Sequence, residues 1–289
     1  MTLAQIASGE LIFRIVQIVR AIANYGHPQL SRQYFYEKDK NTPRVNFIAR
    51  EGSYHGNTIG ALGISGHVGR RAPYLPFLMK NVHHVSSCNF YRQRQGREST
   101  DAFVARKAAE LDAKFQELGP ETVIGFIAEP VVGAALGCVP YVPGYLKAMR
   151  NVCHKYGALF ILDEVMCGMG RSGNLHAWQA EGVAPDLQTV GKGLGGGYQP
   201  IAAVLISKKV IDTLSDGSGQ FVHGQTYQGM PVQAAAALEV SLSRSAFPIL
   251  RSCTSCGPAH KLKMFKLSKR SLTFRSFVGP EDRSRRASL

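Results

Sequence analysis

The sequence has no run of about eighteen apolar residues, the length a helix needs to cross a bilayer, so no membrane span is expected. It also lacks a basic stretch ahead of an apolar core at its N-terminus. Glu10 and Arg14 interrupt the apolar residues there, and a secretory leader is not expected. The six cysteines, at positions 88, 138, 153, 167, 253 and 256, form no compact disulfide framework. Cys253 and Cys256 make a single Cys-x-x-Cys with no second pair, and His260 alone does not complete a zinc site, so no metal is expected. Free thiols suit a reducing compartment, and the expected location is cytoplasmic. Acidic residues are scarce: 20 Asp/Glu stand against 34 Lys/Arg, a formal charge of +14. The excess invites a nucleic-acid reading, but its distribution weighs against one. Residues 241–289 carry 11 Lys/Arg and 2 Asp/Glu, which leaves only +5 for the other 240 residues. A tail with Phe265, Phe274 and Phe277 among basic residues suits RNA phosphates and stacking, and this is the minor alternative.

What is present is globular. The 289 residues are 45% hydrophobic and 19% charged, enough to bury a sizeable core. Residues 11–22 place apolar side chains at 11, 12, 15, 16, 18, 19 and 22, an amphipathic pattern that predicts a helix docked on its own domain. Three segments follow from the text: residues 1–30, an atypical segment expected to be helical; residues 31–240, the main domain; and residues 241–289, a basic tail of disordered-type composition. Within the main domain, residues 45–51 read as a strand. Ser99, Thr100 and Asp101 open a long helical pattern that Gly119-Pro120 closes. Residues 122–131 are a near-continuous apolar run, as a strand covered on both faces should be. Pro143 opens another helix, with Leu146, Met149, Cys153 and Tyr156 on its apolar face and Gly157 at its end. Residues 158–165 and 200–207 read as further strands. This alternation predicts an α/β fold with a mostly parallel sheet flanked by helices.

Ligands of such sheets sit beyond the carboxyl ends of the strands. Glu129 and Asp163 fall at those ends, each after several apolar residues, and a buried carboxylate needs a partner or a solvated crevice. A strand-end acid that caps a nearby helix is an equal alternative for Asp163 alone. Downstream, Lys192 stands among five glycines in residues 188–203, ahead of an apolar run. A Walker-type phosphate loop requires G-x-x-x-x-G-K-[ST], and here glycine follows the lysine. A dinucleotide fingerprint opens a helix after the first strand, whereas this loop precedes a strand. The remaining chemistry is a lysine that forms a Schiff base with a flat cofactor. Pyridoxal phosphate fits, with Asp163 for its ring nitrogen; without that acid, a lysine in a surface glycine turn would be the default.

Five stretches then carry a resemblance: GSYHGNT (52–58), AEPVVG (128–133), LDEVMCGMGRSG (162–173), PDLQTVGKGLGGGYQPIAA (185–203) and HGQTYQGMPVQAAAALEV (223–240). Together, in this order, they resemble the class III pyridoxal-phosphate-dependent aminotransferases of fold type I. The resemblance implies transamination between an amine or amino acid and an oxo acid, in a homodimer. It implies that Lys192 is the Schiff-base lysine and proton shuttle and that Asp163 pairs with the ring nitrogen. Tyr54 of the Tyr54-His55 pair would lie on one ring face and Val165 on the other, with His55 in the cofactor site. Thr226 would reach the phosphate from the neighbouring subunit, and Glu129 would lie on the substrate-amine side. Two departures accompany these matches. The family's Ser-Gly-Ser-Glu-Ala-like phosphate turn should precede residues 31–40, and ASGELIFRIVQIVRAIANYGHPQL stands there instead. After Val240 no part of the family's small C-terminal domain aligns. Truncation at both ends, with impaired activity, is the expectation; an inactive remnant or a basic-tailed binding protein is the alternative.

Overall fold

A computed structural model describes residues 11–17, 20–224 and 226–246, with side chains placed for 26–224 and 226–243. The basic tail expected from residue 241 begins instead as the end of a helix, Pro231–Ala246, and the rest of the tail, with Cys253, Cys256 and His260, lies outside the described residues. Seven strands form one sheet in the order β1-β9-β8-β7-β4-β2-β3. They are β1 (Leu11–Gln17), β2 (Asn46–Arg50), β3 (Val82–Val85), β4 (Val123–Ala128), β7 (Leu159–Asp163), β8 (Leu187–Val190) and β9 (Ala202–Ser207). A separate two-stranded ribbon joins β5 (Val131–Val132) to β6 (Val139–Pro140). The pairs β2–β3, β2–β4, β4–β7 and β7–β8 are parallel, whereas β9 runs antiparallel to both β8 and β1. The connection explains the reversal. Between β8 and β9 there is only the glycine loop with a single 3₁₀ turn, Lys192–Gly195, too short for the crossover that a parallel pair requires.

Two layers of helices cover the sheet. On one face, Phe103, Leu111 and Phe115 of α5 (Thr100–Leu118) and Leu146, Met149 and Cys153 of α6 (Tyr145–Lys155) pack on Phe160 and Leu162 of β7. On the other, Leu30, Tyr34 and Phe35 of α1 (Arg20–Lys38) and Val210 and Leu214 of α7 (Lys208–Asp216) pack on Leu159 and Ile161. Alternate residues of β7 thus face opposite layers, as the two-residue strand period dictates, and both faces are apolar because both are covered. Ser99 caps α5 through its side chain, and Gly119 ends the helix at φ 82°.

The helix expected over residues 11–22 does not form at its start. Leu11–Gln17 is a strand, registered antiparallel to β9 from Leu11 opposite Ser207 to Gln17 opposite Ala202. Its sequence, LIFRIVQ, is rich in β-branched and aromatic residues, and an open sheet edge supplies its hydrogen-bond partner. The helical periodicity was real but tertiary pairing outweighs it. Helix α1 then begins at Arg20.

Candidate active site

The parallel strands deliver their carboxyl ends to one edge of the sheet. β4 leads into Glu129, β7 ends at Asp163, and β8 leads through Gly191 into Lys192. The loop after β2 carries Tyr54 and His55. Asp163 lies opposite Thr189 in the β7–β8 register, so the Thr189 hydroxyl reaches it directly.

Asp163 is buried and held by three donors or partners. Its Oδ1 accepts from the Val165 amide at 3.0 Å and from the Thr189 hydroxyl at 3.1 Å. Its Oδ2 meets His55 Nδ1 at 2.9 Å. Burial by itself would raise this carboxyl, but the hydrogen bond and charge of His55, with the Val165 amide, outweigh it and hold the group below its ordinary value. The hydrogen bond from the Val165 amide to the Asp163 carboxylate fixes the two residues relative to each other. Glu129 differs: burial raises its carboxyl, while the amides of Tyr54 (2.9 Å) and Gly133 (3.3 Å) hold its two oxygens. Two neighbouring acids thereby acquire opposite tendencies, one to stay ionised and one to carry a proton.

Lys192 adopts φ 43°, a left-handed conformation shared among the described non-glycine residues only by Cys138 and Met169. Such a conformation costs about 1–2 kcal/mol for a residue with a Cβ. The surrounding glycines let the chain turn back on both sides, and Gly196 and Gly197 take φ 58° and 86° where side chains would be strained. The glycines therefore aim one lysine into a crevice.

Tyr54, Val165, Lys192, Asp163, Glu129 and Arg70 line a cavity of about 260 Å³. A larger hollow of about 610 Å³ lies at the amino ends of the strands, walled by Phe47, Met79 and Ile124, with none of these groups. His55 stands behind Asp163 and is fully buried. Thr226 is exposed in a turn and does not line the cavity.

Three residues of this region have no signal in the pattern of the sequence. Arg50 is 1% exposed, donates to the Glu129 carbonyl, and lies 5.7 Å from the Tyr145 ring. His27, on α1, is fully buried, and neither ring nitrogen has a partner among the described residues. Glu164 is also fully buried, and accepts from the amides of Ala177 at 2.7 Å and Trp178 at 3.0 Å.

These two buried groups set opposite pH limits. Burial pushes the Glu164 carboxyl from 4.5 up to about 7, so its contribution to stability is complete below pH 4.5 and is lost as pH rises through 7. Burial, and then the charge of His55, lowers the His27 imidazole from 6.5 to about 3, so its contribution is complete above pH 6.5 and is lost as pH falls towards 3. Glu164→Gln should therefore flatten the fall in stability as pH rises from 4.5 to 7, by on the order of 3 kcal/mol, and His27→Leu the fall as pH drops below 6.5. Urea unfolding from pH 4 to 9 measures both; unchanged slopes in either variant would exclude that residue.

The comparison with known sequences fits this geometry. The sequence model of the family described as Aminotransferase class-III matches residues 3–243. The chain belongs to the class III aminotransferases. An aminotransferase of Gibberella zeae is 58% identical over 214 residues, covering 73% of this chain and 42% of its own length. An uncharacterised Bacillus subtilis aminotransferase, YodT, is 41% identical over 73% of this chain and 47% of its own. In structure, the omega transaminase of Pseudomonas jessenii, crystallised with PMP, superposes with a TM-score of 0.80 at 31% identity, over 86% of this chain and 55% of that one. The chain thus spans about half the length of the relatives it matches, and its sheet is the fold type I large-domain sheet. Among its described residues no helix is long and apolar enough to cross a membrane, and no group of three His, Cys, Asp or Glu could hold a metal ion.

Proposed function

We propose that the cavity binds pyridoxal phosphate and serves amino-group transfer between an amine or amino acid and an oxo acid, with residues 31–240 as the cofactor-binding domain. One observation carries the reading: Lys192 shares a cavity with an aromatic face, an apolar face and a carboxylate kept ionised by His55. When bound, pyridoxal phosphate supplies an electron-withdrawing ring that stabilises negative charge on a substrate carbon. Asp163, ionised, would accept a charge-assisted hydrogen bond from the protonated ring nitrogen, and His55 fixes the orientation of the carboxylate. Tyr54 and Val165 hold a flat ring between them. Lys192 Nζ is the nucleophile and afterwards carries a proton to and from the substrate carbon. Glu129 borders the side where the substrate amine enters. Thr226, exposed on this chain, supports a homodimer in which its hydroxyl serves the partner's phosphate. The free thiols Cys88, Cys138, Cys153 and Cys167 support a cytoplasmic setting.

Between β1 and α1, where a phosphate-holding turn is expected, the sequence is Ile18-Val19, without a hydroxyl. Cofactor affinity should therefore be weak, and an inactive remnant is the second reading. Incubation with pyridoxal phosphate, borohydride reduction and peptide mass mapping separates the two. The expected result is the cofactor's mass on the peptide that contains Lys192, absent in Lys192→Ala. A label elsewhere, or none with cofactor in excess, rejects the proposal.

A further inference from the structure

We propose that Arg70 is the receptor for a substrate carboxylate at the mouth of the cavity, which makes the substrates amino acids and oxo acids rather than amines without a carboxylate. The assignment rests on the reading of the cavity as the cofactor site.

Arg70 belongs to a four-residue turn of helix, α3 (Val68–Arg71), which His67 caps by accepting the Arg70 amide at Nδ1, 3.4 Å away. Its guanidinium lies 4.7 Å from the centroid of the Tyr54 ring, and it lines the same cavity as Lys192 and Glu129. The Tyr54 amide is in turn held by Glu129, so the platform beneath the guanidinium is fixed from below. Stacking on a ring orients the guanidinium plane and leaves its N–H edges for a bidentate oxyanion, the geometry in which arginine surpasses lysine.

The charges around it are otherwise engaged. Both Asp163 oxygens are held by His55, Val165 and Thr189, and both Glu129 oxygens by the amides of Tyr54 and Gly133. Among the described residues Arg70 makes no ion pair. Arg50 is buried and donates to the Glu129 carbonyl, and Arg71 lines a neighbouring hollow instead of this cavity. Arg70 is exposed, so it can accept an incoming anion without breaking a bond inside the protein. With Lys192 committed to the cofactor and Asp163 to its ring, Arg70 is the cation that the cavity wall still offers. An oxyanion there has two sources, the substrate carboxylate or the cofactor phosphate, and binding experiments distinguish them.

Calorimetric titration of the whole chain with succinate, as the carboxylate probe, should show binding that Arg70→Gln weakens by about 10- to 100-fold, the loss expected for a charge-assisted pair. Arg70→Lys keeps the charge without the fork and should fall between, which preserves the test if the glutamine variant folds poorly. Loading with pyridoxal phosphate should leave succinate affinity unchanged, and inorganic phosphate at equal concentration should not displace succinate. Succinate binding that is absent, or insensitive to both substitutions, overturns the proposal. Displacement by inorganic phosphate together with loss on cofactor loading also overturns it, and assigns Arg70 to the cofactor phosphate. If borohydride places no label on Lys192 while succinate still binds through Arg70, the cofactor reading fails and the anion site stands.

Discussion

Replacing Asp163 with asparagine should weaken pyridoxal phosphate binding by roughly 10- to 100-fold, because a charge-assisted hydrogen bond to the ring nitrogen becomes a neutral one. Any half-reaction should slow by at least as much, since a ring whose nitrogen is not held protonated withdraws electrons poorly. Folding should suffer less. Asparagine has nearly the same volume, and its carbonyl can still accept from His55 while its NH₂ group faces the Val165 amide and the Thr189 hydroxyl. The expected loss of stability is about 1–3 kcal/mol, the cost of one poorly satisfied buried donor. Absorbance titration with the cofactor and urea unfolding report the two effects separately. Equal cofactor affinity in both proteins would remove Asp163 from the ring nitrogen.

Gly125→Val should prevent the described domain from folding. Gly125 of β4 pairs with Leu159 of β7, and a Cβ built on it would lie 2.5 Å from the Leu159 carbonyl oxygen. That atom is backbone in the centre of the sheet and cannot rotate away. Relief requires β4 to move from β7, which would also separate Glu129 from Asp163. Overpacking of this kind costs roughly 3 kcal/mol or more, a large share of a domain's margin of 5–15 kcal/mol. Ile124→Val, next to it, should cost only about 1 kcal/mol. Soluble yield and urea midpoint test the pair; a Gly125→Val protein with an unaltered midpoint would show that the strands do not approach so closely.

Much of the site was legible because its residues occur as contiguous runs. A strand-end Asp163 with Val165 two residues on, and Lys192 bracketed by glycines, state their geometry locally: the strand period puts the first two on one face, and φ above zero requires glycine nearby. The helix of residues 100–118 was equally plain, with Ser99 at one end and Gly119-Pro120 at the other. The short strands Val82–Val85 and Leu187–Val190 were not read, because four residues carry too little periodicity. His27, Arg50 and Arg70 were not read either. Each lies in an unremarkable local pattern and gains its role only from what stands across from it.

The sequence by itself determined the α/β alternation of the main domain, the buried apolar runs that demand a covered sheet, and the set of groups available for chemistry, because these depend on local spacing and on side-chain type. Tertiary structure alone decided the rest. Leu11–Gln17 became an edge strand because β9 offered unpaired backbone. β9 reversed direction because the glycine loop was too short for a crossover. The carboxyl of Asp163 fell because His55 stands against it, and that of Glu129 rose because burial, with the nearby charge of Asp163, outweighs the amide and cations that face it. Arg70 came to the mouth of the cavity because α3 folds over the ring of Tyr54. In each case the deciding partner is distant in the chain, and its distance and orientation are set by packing.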